Sequence, residues 1–164
     1  MKYHYVLLIL LWGFSSSVFA RDKITVASVQ YAIKGNQSFE SFTQRVSEFI
    51  KKAKAKKADV IVFPEYLILD QWPLDSKESE KSVVAKISQD SSVRWIERLK
   101  EWSKKNQMVI IGGTLPRATA DGKFLSSAPI VFPVGRVEYQ DKIFFTPWEK
   151  ELEMVRGNEL RRLE

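Results

Sequence analysis

The sequence predicts an α/β fold on a largely parallel sheet, with antiparallel strands added toward its end. Three observations predict it. Apolar runs rich in β-branched residues stand at 23–33, 59–63 and 107–114, with the look of buried strands. Stretches with helical spacing of apolar residues separate them. Turn signals and two more strand-like runs then follow, giving β-α-β-α-β and a hairpin.

The elements follow in order. "KITVASVQYAI" (23–33) reads as the first strand and "KGNQS" (34–38) as a turn. A helix is expected over 38–56, because Phe39, Phe42, Val46, Phe49, Ile50 and Ala53 recur three and four apart and so share one face. Ser38 is its expected N-cap. Val60 to Phe63 form the second strand, Pro64 stops it, and Glu65 follows at once. Residues 68–90 are poorly periodic and read as a loop with a short helix near 79–87. A helix over about 91–105 puts Ile96, Leu99 and Trp102 on one face, with Asp90 or Ser91 as cap. "QMVIIGGT" (107–114) is a third strand ended by Gly112 and Gly113. Asp121-Gly122 marks a hairpin turn. "SAPIVFP" (127–133) and "RVEYQDKIFF" (136–145) make two strands around Val134-Gly135.

The beginning of the chain has another character. Lys2, the apolar run Val6 to Phe14, and Val18-Phe19-Ala20 have the order of a secretory signal over residues 1–20. The run is short for a membrane span of roughly 20 residues. Cleavage would leave a single domain beginning at Arg21, exported to the periplasm or medium and without membrane contact. An uncleaved segment would instead give a membrane-tethered basic protein.

Net charge is +6, and five lysines cluster in "KKAKAKK" (51–57). A solvated helix end accounts for them, since cations suit a helix C-terminus. A polyanion-binding patch is the sharper reading, but no aromatic platform or nucleic-acid motif accompanies it, so no nucleic-acid partner is expected. Cysteine is absent and the one histidine is His4. From Arg21 onward no Ser-His-Asp triad, Cys-His pair or Cys/His zinc site can be assembled. No metal or organic cofactor is indicated. Chemistry must rest on Glu, Asp, Lys, Tyr, Ser or Thr, or on residues outside this sequence.

In open parallel sheets, reactive groups gather at the carboxyl ends of strands. Glu65 stands at such an end, as do Gly112 and Gly113. A carboxylate there could simply cap the next segment. Alternatively, loss of water would raise its pKa and a nearby lysine would lower it, a balance that suits a general base near neutral pH. Lys142, inside "VEYQDKIFFTPWEKE", is the natural cation, or else an edge-strand lysine facing solvent. Glu149 follows a Thr-Pro-Trp turn and is a further candidate, or else an ordinary exposed carboxylate. Gly112-Gly113-Thr114 could hold a phosphate or serve close backbone packing.

Together these segments resemble the carbon–nitrogen hydrolase, or nitrilase, superfamily. They are a strand ending in Phe-Pro-Glu, a strand ending in Gly-Gly, a hairpin, and Asp-Lys-x-x-x-Thr-Pro-x-Glu. The resemblance runs from about Lys23 to Leu163. "KIFFTPWEKE" with "GNEL" is most similar to the branch often found beside or fused to acetyltransferase domains. The resemblance implies an αββα sandwich of the nitrilase type and a Glu-Lys-Cys triad acting on a small amide or nitrile. It implies Glu65 as general base, Lys142 as the lysine that stabilises the tetrahedral intermediate, and Glu149 as an orienting glutamate, with Glu151 the lesser candidate. Homo-oligomers are common in the family. The family nucleophile is a cysteine at the end of a later strand, which this sequence lacks. The chain therefore reads as the N-terminal part of such a domain, incomplete and inactive alone. A non-catalytic binding module on the same scaffold is the alternative.

Overall fold

The computed structural model describes residues 23–162, so the signal segment expected over 1–20 lies outside the described residues. Helix α1 (Phe39–Ala55) starts where Ser38, in extended conformation, accepts a hydrogen bond from Ser41 N at 3.1 Å. Its apolar stripe of Phe39, Phe42, Val46, Ile50 and Ala53 is buried, as the spacing predicts. Strands β1 (Val26–Ser28), β2 (Val60–Val62) and β3 (Val109–Ile111) run parallel, with Val26, Val60 and Val109 in one row. They are shorter than the apolar runs, though Val29 N and Phe63 N still bond to Val62 O and Ile111 O at 2.9 Å.

The expected strand 107–114 shortens to β3, and a further strand that the sequence did not suggest follows it. β3 ends at Ile111, the chain bends through Gly112-Gly113-Thr114, and β4 (Leu115–Ala118) follows. Gly113 has φ +72°, and a Cβ there would stand 2.3 Å from Pro64 O. A Cβ on Gly112 would stand 2.4 Å from Leu99 Cδ1. Close packing accounts for both glycines.

Strand β5 (Phe124–Val131) begins earlier than expected, because its first half pairs with β4 (Leu115↔Ser127 to Ala118↔Phe124) and its second half with β3 (Ile111↔Ile130). The hairpin between β4 and β5 turns at Asp121-Gly122, as read from the sequence, with Thr119 N bonded to Lys123 O at 2.9 Å. β6 (Val137–Asp141) lines the other edge of β5 and completes a six-stranded mixed sheet.

The second helical region also differs. α2 (Glu80–Lys86) is capped by Ser79 and does not end in a loop. It widens into one π turn, Ile87–Ser91, and continues as α3 (Ser92–Asn106). Neither Asp90 nor Ser91 is a cap: Ser91 has helical φ −62° and ψ −38°. Its hydroxyl lies 3.0 Å from Gln71 Oε1 instead.

The sheet's two faces are unequal. Ile61 and Ile110 are fully buried in a cluster that holds Phe42 and Val46 of α1 and Trp95 and Leu99 of α3. Trp95 also donates its indole N–H to Gly112 O at 3.1 Å, which ties α3 to the strand break. Side chains of this size contribute about 1.5–3 kcal/mol each when buried. On the opposite face, Val26 is 57% exposed, and Val60, Val62, Val109 and Ile111 are only partly covered. One helical layer on one sheet is thus described, which is half of an αββα sandwich.

Candidate active site

The break between β3 and β4, the end of β2 and the end of β6 meet at one rim of the sheet. After β2, Pro64 ends the ladder and Tyr66 takes a left-handed conformation, φ 49° and ψ 30°. A non-glycine residue there is strained by about 1–3 kcal/mol and needs neighbours that hold it. Thr114 supplies one, since its Oγ1 accepts from Tyr66 N at 2.9 Å. The close approach of Gly113 to Pro64 O supplies another. Glu65 is thereby fixed between the strand end and the bend.

Lys142 follows directly on β6, and its backbone N–H extends the ladder to Ser126 O at 2.8 Å. Its side chain is 21% exposed and does not face solvent as an edge lysine would. Nζ lies 2.5 Å from Glu65 Oε1 and 2.9 Å from Glu149 Oε2. Residues 77 positions apart, Glu65 and Lys142, therefore share a hydrogen bond.

Glu149 lies in α4 (Pro147–Glu151), a single turn started by a capping box. Thr146 Oγ1 accepts from Glu149 N at 3.3 Å, and Glu149 Oε2 accepts from Thr146 N at 2.8 Å. The Thr146 hydroxyl donates to the same oxygen at 2.9 Å, and Tyr66 donates its hydroxyl to Oε1 at 2.7 Å. A second apolar cluster of Val84, Phe124, Leu152 and Met154 packs beneath, with Trp148 against it.

Glu149 has no solvent exposure at its side chain, which sets aside the alternative of an ordinary exposed carboxylate, whereas Glu65, expected to lose its water, is 53% exposed. The sequence marks where the chain leaves β2 but not which side chains later elements cover. Glu151, the lesser candidate, is exposed on α4.

The electrostatics follow. Burial pushes the Glu149 pKa up, but the Thr146 N–H, the Lys142 ammonium and the Tyr66 and Thr146 hydroxyls outweigh it, and the net direction is down. Burial pulls Lys142 down, but the hydrogen bonds and charges of Glu65 and Glu149 outweigh it, and the net direction is up. Burial raises Tyr66, and so does the bond it donates to Glu149. Lys142 is thus held as a cation and Glu149 as an anion. Glu65 keeps one oxygen that accepts no hydrogen bond among the described residues, and it is open to a reacting group.

Tyr66, Thr114 and Thr146 hold this arrangement; the sequence reading named Thr114 only within Gly-Gly-Thr and Thr146 only within the Thr-Pro-x-Glu motif, and gave none of the three this role. For Thr146 a signal existed: Thr-x-x-Glu is the pattern of a capping box. Among the described residues no group of three or more His, Cys, Asp or Glu could hold a metal ion.

The family model described as carbon–nitrogen hydrolase matches residues 25–157. A probable hydrolase of Bacillus subtilis, YhcX, is 26% identical over 128 residues, which are 78% of this chain and 25% of YhcX. Among solved structures, Saccharomyces cerevisiae Nit3, a nitrilase-superfamily member, aligns with TM-score 0.64 at 19% identity, over 83% of this chain and 49% of Nit3. An amidase from Nesterenkonia aligns with TM-score 0.65 at 14% identity, over 83% and 49% respectively. The chain spans about half the length of these structures and a quarter of YhcX. With a family match from one strand of the sheet to the far side of α4, the chain belongs to the carbon–nitrogen hydrolase family.

Proposed function

We propose that Glu65, Lys142 and Glu149 are the base, the oxyanion-stabilising cation and the orienting anion of a thiol-dependent hydrolase acting on small amides or nitriles. One observation carries the reading: a single ammonium bridges a half-exposed carboxylate and a buried one at the sheet's rim. Among proteins of the same fold, a Glu-to-Gln mutant of the Nesterenkonia amidase shows the result of Michael addition of acrylamide at its active-site cysteine.

In this reading, a cysteine thiol gives its proton to Glu65, and the thiolate attacks the substrate carbon. Negative charge develops on the carbonyl oxygen beside Lys142, whose raised pKa keeps it charged through the cycle. The amine leaves with the proton from Glu65; water, deprotonated by Glu65, then attacks the thioester carbon, the C–S bond breaks, and the departing thiolate recovers that proton from Glu65 as the acid is released. Glu149 takes no proton in these steps and fixes Lys142.

The 164 residues contain no cysteine, so the thiol must come from sequence outside them. Without a nucleophile the loss is on the order of a million-fold. The purified chain should therefore release no ammonia from a panel of amides and nitriles, and release that disappears with Glu65→Gln would overturn this. The coding DNA past codon 164 tests the reading further. An open frame with a cysteine at the end of the next strand supports it. A stop codon favours a non-catalytic binding module, which the lack of cysteine also fits.

The chain is further read as exported, on the sequence of residues 1–20. Protein recovered from cells should begin at Arg21, and an intact Met1 would contradict cleavage.

A further inference from the structure

The lysine cluster belongs to a larger surface that the sequence leaves scattered. α1 and α3 both run against the strands, so their C-terminal ends lie where β1, β2 and β3 begin. Lys54 Nζ donates to Asn106 O at 2.8 Å and links the two helix ends. Thr25 N donates to Asp59 Oδ2 at 2.9 Å, and Val109 N to Asp59 O at 2.9 Å, which ties the three strand starts together. Lys51, Lys52, Lys54, Lys56 and Lys57 from α1 and its cap, Lys104 and Lys105 from α3, and Lys23 before β1 thus share one pole, all of them exposed. Glu65 and Lys142 lie at the other end of the strands.

Nearby acids neutralise only part of this pole. Glu48 pairs with Lys51, while Glu97 pairs with Lys100 and Glu101 with Arg98, neither of which belongs to it. Asp59, which accepts from Thr25 N, adds one anion among the lysines. Lys56, Lys57, Lys104 and Lys105 form no ion pair among the described residues. The pole holds a shallow depression of about 320 Å³ lined by Lys54, Lys57, Ala58, Asp59 and Gln107.

We propose that this lysine pole is a docking surface for an anionic phospholipid bilayer. Charge complementarity is the ground. Exposed ammonium groups are point charges suited to diffuse headgroup charge, and among the described residues no exposed aromatic ring lies beside them to stack nucleic-acid bases.

The test is co-sedimentation of the full chain with vesicles of phosphatidylcholine alone and of phosphatidylcholine mixed with phosphatidylglycerol. Binding to the anionic vesicles should be stronger and should fall steeply with salt. Each lysine near the surface contributes about fivefold. Lys56→Gln/Lys57→Gln/Lys104→Gln/Lys105→Gln should therefore lose on the order of several hundred-fold in partition onto anionic vesicles and little onto neutral ones. A control with equal charge loss elsewhere, Lys77→Gln/Lys81→Gln/Lys86→Gln/Lys123→Gln, should keep most of the anionic preference. Equal binding to both vesicle types would overturn the proposal. So would equal losses in the two variants, or tighter binding to a single-stranded oligonucleotide than to anionic vesicles at the same salt.

Discussion

Lys142 is the residue on which the site turns. It is the only cation that touches buried Glu149 among the described residues, so its removal leaves a carboxylate with hydroxyl and amide donors but no countercharge. Lys142→Met should destabilise the chain by about 2–3 kcal/mol, read as a lower urea midpoint. The pH dependence has two edges. Glu149 has a lowered folded pKa, so its stabilisation is complete above its unfolded value near 4.5 and is lost as pH falls through the folded one. Lys142 has a raised folded pKa, so its stabilisation is complete below its unfolded value near 10.5 and is lost as pH rises through the folded one. Thermal scans should show a plateau from about pH 5 to pH 10, and Glu149→Gln should flatten the acid edge. Glu65 was legible in the sequence because Phe-Pro-Glu marks a strand end. Lys142 was read inside a strand over 136–145, as the natural cation and through the resemblance, whereas β6 ends at Asp141 just before it. The burial of Glu149 was not legible, because Tyr66, which bonds to it, is far away in the chain.

Elements fix where these residues stand. The single turn α4 is too short to persist unaided, and its capping box supplies both its start and the orientation of Glu149. Thr146→Ala removes a cap and one donor to Glu149 and should cost about 1–2 kcal/mol by chemical denaturation. Thr146→Ser keeps both bonds and should recover most of it. Gly113→Ala should cost about 2–4 kcal/mol, since φ is +72° and Pro64 O leaves no room for a Cβ. The apolar run before Gly112 revealed β3, but β4 was missed because Pro116 and Arg117 break the look of a strand. Pairing with the long strand β5 makes it one. The π turn was invisible for a similar reason. An expected cap at Ser91 and a continuing helix use the same residue types, and packing chose the helix.

At the scale of the whole molecule, the sheet is finished on one face only. Ile61 and Ile110 are sealed by α1 and α3, while Val26, Val60, Val62, Val109 and Ile111 form a partly open apolar face. Surfaces of this kind drive association. Light scattering on the 164-residue chain should show a mass that rises with concentration, and a single monomer peak with a cooperative melt would count against it. The class of the fold was legible from apolar runs and helical spacing. The two poles were not, because only the packed arrangement gathers the lysines of α1 and α3 at one end and three strand ends at the other. The central claim is that one ammonium serves two carboxylates across the sheet's rim. Its most direct test is a titration of the Lys142 amine, followed by NMR through its side-chain carbon next to the nitrogen. The midpoint should lie above that of the exposed lysines and drop in both Glu65→Gln and Glu149→Gln. A midpoint equal to theirs, unmoved by either substitution, would contradict the account.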